Sequence, residues 1–165
     1  FHLFIYLFIF FLGFYCFCHQ FCYYNFEKYL LISEKKCPAG WMKFKYSCYF
    51  TSSEKNTWEQ SREFCRNKTG DLAIINSEEE MAFINTLCKS GQQTWIGLTD
   101  GEVEGQWKWV DGTPLTLIFW GTGQPNSYQG SDQDCVEFWH RSKGIGDWND
   151  ESCSNTIRFV FKKKK

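Results

Sequence analysis

Residues 120–150 read WGTGQPNSYQGSDQDCVEFWHRSKGIGDWND, and the reading of this stretch decides the fold. Gly, Asn, Gln, Asp and Ser crowd its first half; a Cys-bearing apolar run then leads to Trp148-Asn149-Asp150. A polar segment of this length without a periodicity of its own is uncommon inside a domain and is either functional or disordered. Trp120, Val136, Phe138, Trp139 and Trp148 carry enough apolar surface to argue for order. An ordered loop here offers the oxygens of Gln124, Asn126, Asp132, Gln133, Asp134, Asn149 and Asp150. Carboxylate and amide oxygens gathered in one loop suit a hard cation such as Ca²⁺, which takes about 6–8 oxygen ligands. The competing reading is a solvated surface loop.

The composition around this stretch narrows the class. A chain of 165 residues sets a prior of one domain. Aromatic residues at 20%, nine Cys and a net charge of −1 suit a small secreted or cell-surface module with a dense core and disulfides. Near-neutral charge argues against nucleic acid, which wants a clustered basic face. The one charge run, Lys162 to Lys165, reads as a solvated tail. His140 is the one His downstream of residue 26, and no nucleophile stands beside it in a recognisable motif, so the chain does not read as an enzyme.

Residues 1–26 contain no Asp, Glu, Lys or Arg and hold nine of the seventeen Phe. The apolar run Leu3 to Cys18 exceeds a usual signal-peptide core but falls short of the ~20 residues that span a bilayer. No small-residue cleavage site follows it. These features favour a signal-anchor that leaves the rest of the chain outside the cell, a type II plasma-membrane arrangement, over a cleaved signal and a secreted product. Cys16, Cys18 and Cys22 suit a membrane segment or palmitoylation rather than a metal cluster. Residues 27–36 form a short polar linker, and a globular domain is expected over 37–165.

Within that domain, Pro38-Ala39-Gly40 sets a turn between Cys37 and Cys48, which suits a hairpin stapled across its base. Tyr46 to Phe50 reads as a strand. Asn56 before Thr57-Trp58-Glu59 predicts a capped helix through about Lys68, and Ser77 with Glu80 a second capping box. The second helix would place Met81, Ile84 and Leu87 on one face. Asp71 to Ile75, Trp95 to Leu98, Trp107 to Val110, Cys135 to Trp139 and Arg158 to Phe161 read as strands, with a turn at Asp111-Gly112. Two helices beside antiparallel sheet make an α+β domain with a loop-rich half. Asn67-Lys68-Thr69 is an N-glycosylation sequon, usable if this part is lumenal.

Taken in order, several of these residues resemble a known family. Cys37…Cys48, Trp58 to Cys65, Trp95-Ile96-Gly97-Leu98, Trp107-Lys108-Trp109-Val110-Asp111-Gly112, Gln124-Pro125-Asn126, Cys135 and Trp148-Asn149-Asp150…Cys153 look like the long form of the C-type lectin-like domain. Type II receptors such as the dendritic-cell mannose-binding lectins and the asialoglycoprotein receptor look like the nearest group. The resemblance implies Ca²⁺-dependent binding of glycans on glycoproteins or microbial surfaces, and a possible homo-oligomer. By position, the sugar-site ligands are Gln124, Asn126, Gln133, Asn149 and Asp150, and an auxiliary calcium site falls on Asp100, Glu104, Ser127 and Asp134. Pro125 would be cis, turning the flanking side-chain carbonyls toward one ion.

The departures from the family pattern carry equal weight. Gln124 and Gln133 stand where the mannose binders have Glu, which leaves Asp150 as the one carboxylate among five positions. Ca²⁺ affinity falls with ligand charge, so binding is expected to be weak unless Asp132 slides into the place of Gln133. Gln124 is the galactose-type choice and Asn126 the mannose-type one, while Tyr128 has the spacing of a sugar-stacking aromatic; galactose-type or mixed recognition follows. The resemblance pairs Cys37 with Cys48 and Cys135 with Cys153. Phe161 occupies the place of Cys65's usual partner, so Cys65 and Cys88 are left over: paired together, paired with another chain, or free. A receptor of the same fold that has lost the ion and binds a protein ligand is the rival reading.

Overall fold

The computed structural model describes residues 36–89, 91–139 and 147–164. Residues 1–26, most of the linker and His140 lie outside the described residues. The hairpin expected after Cys37 forms from β1 (Met42–Phe44) and β2 (Ser47–Thr51), with Lys45 in the left-handed region at φ 48° between them. The Cys37–Cys48 disulfide staples its base at a Cα separation of 5.6 Å. Strand β2 pairs antiparallel with β8 (Arg158–Lys164), so the two ends of the domain close on each other.

The central strand β4 (Gln93–Thr99) is buried from Thr94 to Leu98, as its run of apolar residues requires. It pairs antiparallel with β5 (Lys108–Trp109) and β6 (Cys135–Trp139), and β6 pairs with β7 (Trp148–Glu151). Its other edge pairs with β8 through Thr94↔Arg158 and Trp95↔Phe159, and this pairing is parallel. The sheet is therefore mixed, its antiparallel pairs joined by this parallel seam, in the order β1-β2-β8-β4-β6-β7 with β3 (Asp71–Leu72) on β8. Gly97 permits this layering: a Cβ there would stand 2.9 Å from Val110 Cγ2 and 3.1 Å from the Leu72 carbonyl. No helix among the described residues is long and apolar enough to cross a membrane.

Helix α1 (Trp58–Asn67) starts one residue later than expected. Thr57 is the cap: its hydroxyl accepts from the Gln60 N–H, and the Gln60 side chain accepts from the Thr57 N–H. Asn56 is unavailable because its backbone N–H and C=O both bond to Ile157. The strand expected over 71–75 is only two residues long, because Ala73 leaves it to bond with Val160 and Gly97. Trp107 and Val110 likewise flank rather than extend β5.

Helix α2 (Glu78–Leu87) is capped by Ser77, which accepts from the Glu80 N–H at 3.2 Å. The reciprocal half of the capping box does not form, since the Glu80 carboxylate is taken by stronger partners. One oxygen accepts from the Tyr49 hydroxyl and the Lys162 ammonium, the other from the Asn76 N–H at 3.0 Å. Burial and the adjacent Glu80 carboxylate push the Tyr49 phenol above its ordinary value of 10.0. The folded phenol thus keeps its proton where the unfolded one ionises. Stability is expected to be intact below pH 10 and to fall above it by about 1.4 kcal/mol per pH unit. Alkaline denaturation of the wild type beside Tyr49→Phe, which lacks the titrating group, checks this: the excess loss above pH 10 should vanish in the variant.

Two apolar clusters flank the central strands, one around Trp109, Trp148 and Phe138, the other around Trp58, Trp95 and Phe161. The indoles of Trp58 and Trp95 donate to the carbonyls of Ile96 at 2.9 Å and Asn56 at 3.1 Å, so these buried N–H groups are satisfied. Cys65 and Cys88 are both free and buried, one in each cluster. The two are not paired with each other, and burial opposes pairing with another chain. Desolvation pushes the Cys88 thiol up to about 11 and raises Cys65 as well, which holds both in the unreactive form.

Candidate functional site

The C-terminal half of the domain builds its site on the β6–β7 ladder. The register Cys135↔Glu151, Val136↔Asp150, Glu137↔Asn149 and Phe138↔Trp148 is locked at its open end by the Cys135–Cys153 disulfide. Successive strand residues face opposite sides. Asn149 and Glu151 thus share a face with Glu137 and Trp139, while Trp148 and Asp150 face the other way. Trp148 anchors its face against Trp109, Phe119 and Trp120 at centroid distances of 5.6, 5.3 and 5.8 Å.

On the Asn149 face lies an open depression of about 380 Å³, lined by Gln124, Asn126, Tyr128, Gln133, Trp139, Asn149 and Glu151. Four of the five residues assigned by position to the sugar site meet there. The Gln124–Pro125 peptide is cis, with Gln124 and Asn126 on either side of it both lining the depression. Gln124 Oε1 is buried and has no hydrogen-bond partner among the described residues. Asn149 donates through Nδ2 to Glu137 Oε1 at 2.9 Å, and Gln93 donates to the same oxygen at 3.1 Å.

Asp150, the fifth position, is 1% exposed and lies behind the loop. Its carboxylate accepts from the Asn126 N–H at 2.9 Å and the Ser127 N–H at 2.6 Å, which fixes the chain just past Pro125. Ser127 and Gln129 adopt left-handed backbone at φ 39° and 57°, and a single 3-10 turn over Tyr128–Gly130 follows. Tyr128 is 62% exposed at the rim of the depression. Gln133 Oε1 accepts from the Tyr128 N–H at 2.5 Å, and Gln133 Nε2 donates to Glu151 at 3.1 Å. Gln133 thus lines the depression, whereas Asp132 is not among its lining residues and stands against Asp134.

A second cluster sits at the end of β4. Ligand atoms of Asp100, Glu104 and Asp134 lie within 4.8 Å of one another. Asp100 is held by its N–H on the Asp134 carbonyl at 3.1 Å and by the Gly105 N–H on Oδ2 at 2.8 Å, which leaves the buried Oδ1 without a partner among the described residues. Burial, then Asp132, then Asp100 and Glu104 push the Asp134 carboxyl up to about 6, and burial likewise raises Asp100. Ser127, assigned by position to this group, is tied through its N–H to Asp150.

Sequence reasoning missed Glu137, Trp139 and Glu151. Reading β7 as a strand would have found Glu151, two residues beyond Asn149 and so on the same face. Asn67 is the last residue of α1 and is exposed, as is Thr69 of its sequon.

Comparison with known proteins bears on what this arrangement is. The lectin C-type domain family matches residues 54–163. CD209 antigen-like protein A of Mus musculus is 40% identical over 132 residues, covering 78% of this chain and 52% of its own length. A human scavenger receptor C-type lectin carbohydrate-recognition domain superposes with a TM-score of 0.73 at 35% identity, over 79% of this chain and 100% of that one. The C-type lectin domain of murine dendritic cell inhibitory receptor 2, solved in complex with N-glycan, gives a TM-score of 0.72 at 33% identity over 79% and 100%. The chain spans between 28% and 54% of the length of these and other curated relatives that it matches. The family match and the shared fold agree, and the chain belongs to the C-type lectin domain family, several of whose solved relatives are carbohydrate-recognition domains rather than enzymes.

Proposed function

We propose that residues 37–165 form a calcium-dependent carbohydrate-binding module of a cell-surface receptor, with galactose-type or mixed specificity. One observation carries this reading: Gln124, Asn126, Gln133 and Asn149 converge on one depression, with Gln124 Oε1 buried and unpartnered. A buried amide oxygen without a donor costs free energy, and a hard cation is a fitting partner for it. The unpartnered Asp100 Oδ1 supports a second cation position among Asp100, Glu104 and Asp134, with Ser127 nearby in sequence to the first.

On this reading Gln124, Asn126, Gln133, Asn149 and Asp150 hold the sugar-site ion, and Asp100, Glu104, Ser127 and Asp134 the auxiliary one. When bound there, Ca²⁺ would supply coordination positions for two neighbouring sugar hydroxyls. The chain's own residues orient the sugar: side-chain oxygens accept from its hydroxyls and side-chain amide N–H groups donate to its hydroxyl oxygens. Tyr128 offers its ring to the apolar face of the sugar. Gln124 supports galactose-type and Asn126 mannose-type recognition. The ligands are glycans on glycoproteins or microbial surfaces. Residues 1–26 act as a type II plasma-membrane anchor, with a secreted lectin as the alternative, and Asn67 carries a glycan.

The neutral Gln124 and Gln133 favour a second reading, a calcium-independent receptor for a protein ligand. Isothermal titration of Ca²⁺ into the purified chain, alone and with saturating galactose or mannose, separates the two. Saturable binding that one sugar tightens is the expected result. Absence of saturable binding overturns the lectin mechanism and favours the protein ligand.

A further inference from the structure

We infer that Glu151 supplies the second negative charge of the sugar site, making up for the carboxylates absent at Gln124 and Gln133; the inference rests on the calcium reading above. Three observations converge on this residue. The alternation of β7 places Glu151 on the face of Asn149, and its side chain lines the same depression as Gln124, Asn126 and Gln133. Its carboxylate is held in place: Oε1 accepts from the Ser152 N–H at 2.8 Å and from Gln133 Nε2 at 3.1 Å. Its charge is also uncommitted, since among the described residues no Lys or Arg forms an ion pair with it.

Asp150 differs in where its carboxylate stands: it does not line the depression. Its carboxylate lies on the opposite face of β7 and is occupied by the N–H groups of Asn126 and Ser127. Ca²⁺ affinity in oxygen sites rises with the number of charged ligands. With Gln at positions 124 and 133 the five assigned residues bring one carboxylate, and Glu151 raises the site's charge to two. Gln133 then has a second task. Its amide joins the Tyr128 backbone to Glu151, so the loop and the strand-borne carboxylate are positioned together.

The test is Ca²⁺ titration of the full chain as wild type, Glu151→Gln, and the exchange variant Glu151→Gln with Gln133→Glu. Binding is followed by calorimetry and by Tb³⁺ luminescence excited through Trp139, each with and without the sugar that tightens wild-type binding. Glu151→Gln keeps an oxygen for Ser152 and Gln133 but removes the charge. It is expected to weaken the sugar-linked step by about tenfold and leave the melting temperature in chelator unchanged. The exchange variant moves the charge across one hydrogen bond and should recover most of the loss. Unchanged sugar-linked affinity in Glu151→Gln overturns the inference and leaves the calcium reading standing. A wild type with no sugar-linked Ca²⁺ binding removes both. A fall in the calcium-free melting temperature that the exchange variant does not rescue assigns Glu151 a purely structural role and also overturns it.

Discussion

Asp150→Asn is expected to lower sugar-linked Ca²⁺ binding by on the order of a hundredfold while the domain stays folded. Two separate losses combine. The substitution removes the one carboxylate among the five assigned positions. It also replaces an ionised acceptor for the N–H groups of Asn126 and Ser127 with a neutral amide that presents one oxygen. Hydrogen bonds to charged groups contribute about 1.5–3 kcal/mol each, and weakening two of them alone accounts for roughly two decades in affinity. The fold itself is insulated, because the β6–β7 ladder and the Cys135–Cys153 bridge hold without the side chain. Calorimetry with the preferred sugar gives the number, and near-UV circular dichroism checks the fold. An Asp150→Asn chain that still binds Ca²⁺ with sugar at wild-type strength sinks the assignment of Asp150.

Stability, by contrast, is expected to depend most on Glu80, at the far side of the sheet from the loop region. Glu80→Ala leaves the Lys162 ammonium, 12% exposed, with the Ile74 carbonyl at 2.9 Å as its remaining acceptor. It also strips the Tyr49 hydroxyl and the Asn76 N–H of their partner. Breaking one side of a buried pair costs about 3–5 kcal/mol, because the surviving charge stays buried and unpaired. That is a large part of the roughly 5–15 kcal/mol that holds a small domain folded. Urea denaturation should show the loss as a lower midpoint at unchanged slope. The double variant Glu80→Ala with Lys162→Met should recover part of it, since no charge is then stranded. A single variant within about 1 kcal/mol of wild type would falsify the idea that this pair joins α2 to β8.

Both predictions concern interactions that a sequence reading reaches only in part. Trp95-Ile96-Gly97-Leu98 was legible as a buried strand because four residues of one character suffice to say so. The Cys37–Cys48 bridge was legible from the turn at Pro38-Ala39-Gly40, whereas the Cys135–Cys153 bridge and the convergence of Gln124, Asn126, Gln133 and Asn149 came through resemblance of ordered motifs. The helix caps were legible to within a residue. Asn56 and Thr57 are both good caps, and the choice between them falls to Ile157, about a hundred positions away, which takes the Asn56 backbone into a bridge. Glu80 was read as the partner of Ser77, but Tyr49 and Lys162 compete for its oxygens from strands that no local pattern brings near α2.

Signals carried by neighbours along the chain were the sequence's own to determine: helix caps, turns at Gly, apolar runs, and a loop rich in oxygen ligands. The tertiary structure alone decided which oxygens meet. The parallel pairing of β4 with β8 and the β6–β7 register are agreements between distant segments. They turn Glu151 into the depression and Asp150 behind it, although the two residues adjoin in sequence. The physical reason is the two-residue repeat of a strand, which sends adjacent side chains to opposite faces once pairing has fixed which face is which.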